Sequence, residues 1–203
     1  MNEWINILDE DILKTNVNFA ALFVLNFECL KEFVIEQVRG FYADSISMDD
    51  EKIVSEESDT YKRQVRKLES QIDNASLKWF LEAEAITQND YATYQIIRKR
   101  RNDLTHKLLK NLSVGFNEND MQLFVEMTNM YRKIDKWWIN EIEIPTSADE
   151  IPVDYEREKV CGGQAMCLEI INDIVLGNGG EKYKDVLEEL MTLNNLRYGE
   201  VNQ

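Results

Sequence analysis

From residue 11 to residue 39, apolar side chains return at steps of three and four: Ile12, Leu13, Phe19, Leu22, Phe23, Phe27, Leu30, Phe33, Val34 and Val38. That is the period of a helix, so the pattern predicts one long helix with a continuous apolar face and Gly40 as its stop. The acidic, serine-rich stretch from Ala43 to Asp59 has few apolar positions and reads as a loop. Residues 60–72 read as a charged helix, and 75–86 as a second helix with Leu77, Phe80 and Leu81 turned inward. Thr87 to Asp90 supplies capping side chains for a helix over about 89–112. Asn117 to Asp120 does the same for a helix from Met121 to about Ile142, in which Leu123, Phe124, Met127, Met130, Tyr131, Ile134, Trp137 and Trp138 share the helical period. The two tryptophans are most simply core residues, with an interface as the alternative.

Both prolines, Pro145 and Pro152, fall in the acidic segment 143–154, which marks it as a linker. Beyond it, residues 155–176 and 181–196 predict a helical hairpin around the Gly177-Asn178-Gly179-Gly180 turn. The organisation expected is a helical bundle over 1–142, the linker 143–154 and a C-terminal hairpin over 155–203 packed on the bundle. The fold class is all-α, an up-and-down bundle.

Composition agrees with few, long elements, because 203 residues contain only 8 glycines and 2 prolines. The apolar stretch Phe19 to Phe27 is short and interrupted by Asn26, so it is a core helix rather than a membrane span. Acids precede the first apolar residues of MNEWINILDEDILKT, unlike the basic leader of a secretory signal, and a cytoplasmic location is expected. Three cysteines, Cys29, Cys161 and Cys167, fit reduced thiols. With a single histidine and no DxD, ExxH or HExxH arrangement, neither a metal site nor a cofactor is expected. The glycine-rich turn lacks the Lys-Ser/Thr of a phosphate loop and joins helix to helix.

Charge changes this picture at one place. The chain carries −15 overall, which repels polyanions, yet Arg98, Lys99, Arg100, Arg101, Lys107 and Lys110 stand against the single acid Asp103, a local +5. On a wheel of about 100° per residue with Arg101 at zero, Ile97, Leu104, Leu108 and Leu112 lie between about −60° and +20°. Arg101 therefore sits inside the apolar stripe, where a guanidinium needs a carboxylate, carbonyls, a subunit interface or a bound anion. Thr105, Asn102 and His106 continue from it as a polar edge, with Asn102 and His106 one turn apart.

The run Arg101-Asn102-Asp103-Leu104-Thr105-His106 resembles the R-x4-6-H motif of the HEPN superfamily (higher eukaryotes and prokaryotes nucleotide-binding domains), in which a polar residue, often Asn, follows the Arg. The resemblance covers 89–112 and, more loosely, the bundle from 11 to 142. It implies a helical bundle that dimerises so that two motifs face each other across a composite cleft. It also implies metal-independent ribonuclease activity in toxin–antitoxin, phage-defence or RNA-processing systems, with an inhibitory antitoxin or regulatory protein as a further partner. The subgroup paired with nucleotidyltransferase antitoxins usually has Tyr two residues beyond the His. Here that position is Leu108, which argues against adenylylation there. The hairpin from 155 onward is outside the resemblance.

Cleavage of single-stranded RNA without a metal needs the 2′-OH deprotonated, the phosphorane charge stabilised and the leaving 5′-oxygen protonated. His106 is suited to the proton transfers, Arg101 to the phosphate charge, and Asn102 to orienting His106 or donating to the phosphate. Arg98, Lys99, Arg100, Thr105, Lys107 and Lys110 are the expected RNA contacts. One motif holds one titrating group, so acid and base would come from two protomers of a homodimer. The alternatives are a non-catalytic helical interaction module, or an inactive relative of the family, that binds a protein partner. A helical DNA reader is weaker, because no helix-turn-helix spacing accompanies the basic run.

Overall fold

The computed structural model describes residues 2–43, 46–49, 52–55, 57–147, 151, 155–177 and 182–184. Two compact units divide between Gly162 and Gly163. The first is a helical bundle. It opens with α1 (Asn2–Leu8), and Asp9 then caps α2 (Glu10–Phe41) by accepting the N–H groups of Asp11 and Ile12. Phe19, Phe23, Phe27, Leu30, Val34 and Val38 are all buried along one stripe of α2, as the period required. Gly40 does not stop the helix: it lies in the last turn, and Tyr42 closes the helix by donating its N–H to the Arg39 and Gly40 carbonyls.

The serine-rich stretch is not wholly a loop. Ile46–Asp49 (β1) and Lys52–Ser55 (β2) pair antiparallel, with Ile46 opposite Ser55 and Asp49 opposite Lys52. Four-residue strands offer too few alternations for periodicity to register. The charged helix expected over 60–72 is shorter and looser. It consists of α3 (Asp59–Tyr61) running into a π-helical turn over Lys62–Arg66, through which Tyr61 and Val65 are both fully buried. Next, α4 (Ile72–Glu82) buries Leu77 and Phe80 while Leu81 is half-buried.

Thr87 and Asp90 form a capping box at the start of α5 (Gln88–His106), and Asn117 and Asp120 form another at the start of α7 (Glu118–Trp138). The helix predicted over 89–112 is broken. Lys107, at φ −128° and ψ 37°, separates α5 from α6 (Leu108–Val114). The Asn111 amide closes the break by donating to the carbonyls of Asp103 at 3.2 Å and Lys107 at 3.0 Å. Leu108 is consequently exposed and does not extend the apolar stripe. At its far end α6 is terminated by Gly115 at φ +84°, a conformation that suits glycine. Asn6 and Asn16 donate to the carbonyls of Ser113 at 2.8 Å and Leu112 at 3.4 Å there.

Past Trp138 the chain stays helical through a π-helical turn over Ile139–Glu143 and α8 (Ile144–Thr146). Trp138 is buried and Trp137 half-buried, and both rings lie 5.9 to 6.3 Å from those of Trp79 and Phe80. The core reading of the tryptophans holds within a single chain.

The first unit extends beyond the proline segment to Gly162. Residues 155–162, predicted to be helical, instead form a turn and extended chain. They are anchored by the Tyr155 hydroxyl on Asn140 and by the Gly162 N–H donated to Asp135 at 2.8 Å. A Cβ on Gly162 would lie 2.4 Å from Asp135 Oδ1. Gly162→Ala should therefore cost about 1–3 kcal/mol in chemical denaturation, the usual range for overpacking. The second unit contains α9 (Gly163–Val175), which buries Ala165 and Leu168. The helix predicted over 181–196 lies almost wholly outside the described residues. Among those residues no helix is long and apolar enough to cross a membrane.

Candidate functional site

The motif helix α5 lies against α2, α4 and α7. Its inner face carries Tyr94, Ile97 and Leu104, all buried. The Tyr94 hydroxyl donates to buried Asp73 at 2.9 Å, and burial together with the Asp73 charge raises the phenol far above its ordinary range. Lys133 from α7 pairs with the capping Asp90 at 2.5 Å.

Arg101 is half-buried, as its place in the apolar stripe implied. Of the partners such an arginine requires, the structure supplies a carboxylate from its own chain. An Nη2–Oε1 ion pair joins Arg101 to Glu28 on α2, and the guanidinium carbon stands 5.6 Å from the centre of the Phe27 ring. Its Nη1 donates to Asn102 Oδ1 at 3.1 Å, whereas its Nε is buried without a hydrogen-bond partner. The position of Arg101 is thus accounted for inside one protomer and does not by itself require a second.

His106 is the last residue of α5 and is exposed. It lines an open cleft of about 520 Å³ between α5 and α7, in which Ile96 and Leu123 lie among Asn102 and the charged side chains of Lys99, Arg100, Asp103 and Lys107. Arg101 lines a different cleft, of about 380 Å³, between α2, α4 and α5, with Lys31, Gln71, Asp73 and Arg98. Asn102 borders both. The structure therefore brings Asn102 to each of its motif partners but does not bring Arg101 and His106 together. Among the described residues, Asn102 is hydrogen-bonded to Arg101 and not to His106.

The basic run is largely neutralised from within. Arg98 Nη1 lies 3.5 Å from Asp73 and donates to Asn74 at 3.1 Å, and its Nη2 donates to Gln71. Arg100 turns into the bundle, where its Nε meets Asp120 at 2.6 Å and its Nη1 meets Asp103 at 3.0 Å and Asn111 at 2.7 Å. Lys107 pairs with Asp103 at 2.7 Å, and that ammonium holds the Asp103 carboxyl below the usual carboxylate range. Thr105 donates its hydroxyl to the carbonyls of Asn102 at 3.1 Å and Arg101 at 3.3 Å within the helix. Lys99 and Lys110 are exposed and make no ion pair among the described residues.

Sequence reasoning missed Glu28, Lys31, Gln71 and Asp73. Glu28 gave the one available signal, a carboxylate directly after core Phe27 in the longest helix. Among the described residues no group of three His, Cys, Asp or Glu side chains is placed to hold a metal. Compared with protein-family models, with curated proteins and with solved structures, the chain matches none.

Proposed function

We propose that this chain is a metal-independent endoribonuclease of the HEPN type, a toxin or phage-defence effector that acts on single-stranded RNA as a homodimer. The observation that carries the reading is the setting of His106. An imidazole free of hydrogen bonds among the described residues stands at the end of the motif helix, in one cleft with Asn102, unpaired Lys99 and the apolar side chains of Ile96 and Leu123. Each protomer supplies one imidazole, and two are needed to take the 2′-OH proton and to protonate the leaving 5′-oxygen. Packing this cleft against a second copy about a two-fold axis would juxtapose them and cover Ile96 and Leu123. In this reading Arg101, once released from Glu28, stabilises the phosphorane charge across the border that Asn102 shares between the two clefts.

The test is incubation with a mixed RNA in EDTA. Cleavage persists and leaves 2′,3′-cyclic phosphate and 5′-hydroxyl ends under this reading, whereas cleavage abolished by EDTA contradicts it. The internal ion pairs of Arg98, Arg100, Arg101 and Lys107 favour a second reading, a non-catalytic helical module that binds a protein partner. Absence of cleavage by any preparation, including one freed of copurifying protein, selects that reading. Lys99 and Lys110, exposed and without an ion pair among the described residues, are the lysines proposed to meet phosphates. Replacing Lys99 and Lys110 with Gln should lower the slope of log affinity for single-stranded RNA against log salt by about 1.4, since each lysine–phosphate pairing contributes about 0.7. An unchanged slope removes both from the RNA path.

A further inference from the structure

The charged residues lining the cleft between α2, α4 and α5 are mainly cations, in a chain that is acidic overall. Lys31, Arg98 and Arg101 line it against one carboxylate, Asp73, and that carboxylate is already engaged by the Tyr94 hydroxyl and Arg98. Two neutral donors, Gln71 and Asn102, and the apolar Phe27 and Ile72 complete the lining. The Gln71 carbonyl oxygen accepts from Arg98 and from Asn74, which leaves its amide nitrogen to donate. The Asn102 carbonyl oxygen accepts from Arg101, which leaves the Asn102 amide nitrogen in the same position.

Glu28, beside the cleft, reaches both Arg101 and Lys31, the latter at 3.4 Å. One carboxylate thus serves two cations, and the buried Nε of Arg101 still has no partner. About 380 Å³ is near the lower end of the small-ligand range, roughly 300–1,000 Å³.

We propose that this cleft binds a phosphate monoester, through Lys31, Arg98 and Arg101, and that Glu28 is the carboxylate the phosphate displaces. A monoester dianion brings two charges and three acceptor oxygens where Glu28 offers one charge. It also matches the planar fork of Arg101 as a carboxylate does. Two sources carry this group, a free mononucleotide and the 5′ end of an RNA. Arg101 also belongs to the proposed cleavage site. Binding is therefore measured in full-length His106→Ala protein, where cleavage is expected to be slowed by at least about 10²-fold, so the two readings fail separately.

The experiment is calorimetric titration with 5′-AMP and with adenosine, then with a short RNA bearing a 5′-phosphate or a 5′-hydroxyl. At least one phosphorylated probe binds, and its dephosphorylated counterpart binds at least tenfold more weakly. AMP binding identifies a free nucleotide as sufficient, and binding confined to the phosphorylated RNA identifies the strand end. Lys31→Gln, at a half-buried position, weakens binding severalfold, and Glu28→Gln tightens it by removing the competing charge. The proposal is overturned if neither phosphorylated probe outbinds its counterpart, or if Lys31→Gln leaves affinity unchanged. It is overturned equally if Glu28→Gln, folded by circular dichroism, binds more weakly than its parent.

Discussion

Replacing His106 with alanine should lower RNA cleavage by about 10²- to 10⁴-fold, the usual contribution of a positioned general acid or base. The fold should not notice. His106 is exposed at the end of α5 and makes no hydrogen bond among the described residues, so its removal should change stability by no more than about 0.5 kcal/mol. Those two outcomes together separate a chemical role from a structural one. Arg101→Ala should lose a comparable amount of rate, but it also leaves Glu28 without its guanidinium and removes the cation beside Phe27. Arg101→Lys is the sharper variant, because it keeps the charge near Glu28 while losing the planar fork that meets two phosphate oxygens. Asn102→Ala should have the smallest effect of the three, since Asn102 touches Arg101 and only borders the His106 cleft. Equal cleavage by wild type and His106→Ala would identify a contaminating nuclease.

The largest effect on stability should come from Arg100→Ala, at about 2–4 kcal/mol, a little below the range for breaking a buried ion pair because Arg100 keeps some solvent contact. Its side chain is 19% exposed and that of Asp120 only 7%. Asp120 also accepts the Asn117 N–H at 3.1 Å as part of the α7 capping box, so losing Arg100 leaves a buried carboxylate whose one remaining support is a helix start. The same guanidinium reaches Asp103 and Asn111, the residues that close the break between α5 and α6. Urea denaturation should show the loss in Arg100→Ala and near-neutrality in Lys99→Gln, which touches no ion-pair partner among the described residues. A double-mutant cycle with Asp120→Asn should give a coupling of about 1–3 kcal/mol. Additive effects would show that Arg100 acts through packing alone.

Helices with a single uninterrupted apolar period were legible in the sequence. The stripe from Phe19 to Val38 places α2, and Phe124 to Trp138 places α7, because burial of one face leaves a repeat that needs no knowledge of the partner. Caps at Thr87 and Asn117 were legible for a similar reason, their hydrogen bonds being local. The break at Lys107 was not. Leu108 and Leu112 continue the wheel of α5, and what turns the chain is the side chain of Asn111 folding back onto two carbonyls. The end of the first unit was hidden in the same way. Pro145 sits in a helical turn, and the contact that keeps residues 155–162 with the bundle pairs Gly162 with Asp135, 27 positions earlier.

At the candidate site, the unusual position of Arg101 was visible from spacing, and so was its need for a counter-charge. The identity of Glu28 was not, since 73 positions separate the two and any of 38 acidic residues qualified. The same holds for the sign of the basic run. Six cations read as a patch along the chain, yet Asp73, Asp120 and Glu28 arrive from other helices to neutralise three of them.

The proposed dimer brings two His106 side chains to one cleft. Light scattering should show a dimer at micromolar concentration. A spin label at His106→Cys, with Cys29, Cys161 and Cys167 changed to Ser, should then report a distance of no more than about two helix diameters, roughly 20–25 Å, across the two-fold. A strict monomer, or a dimer whose labels lie on opposite outer surfaces, would contradict the account.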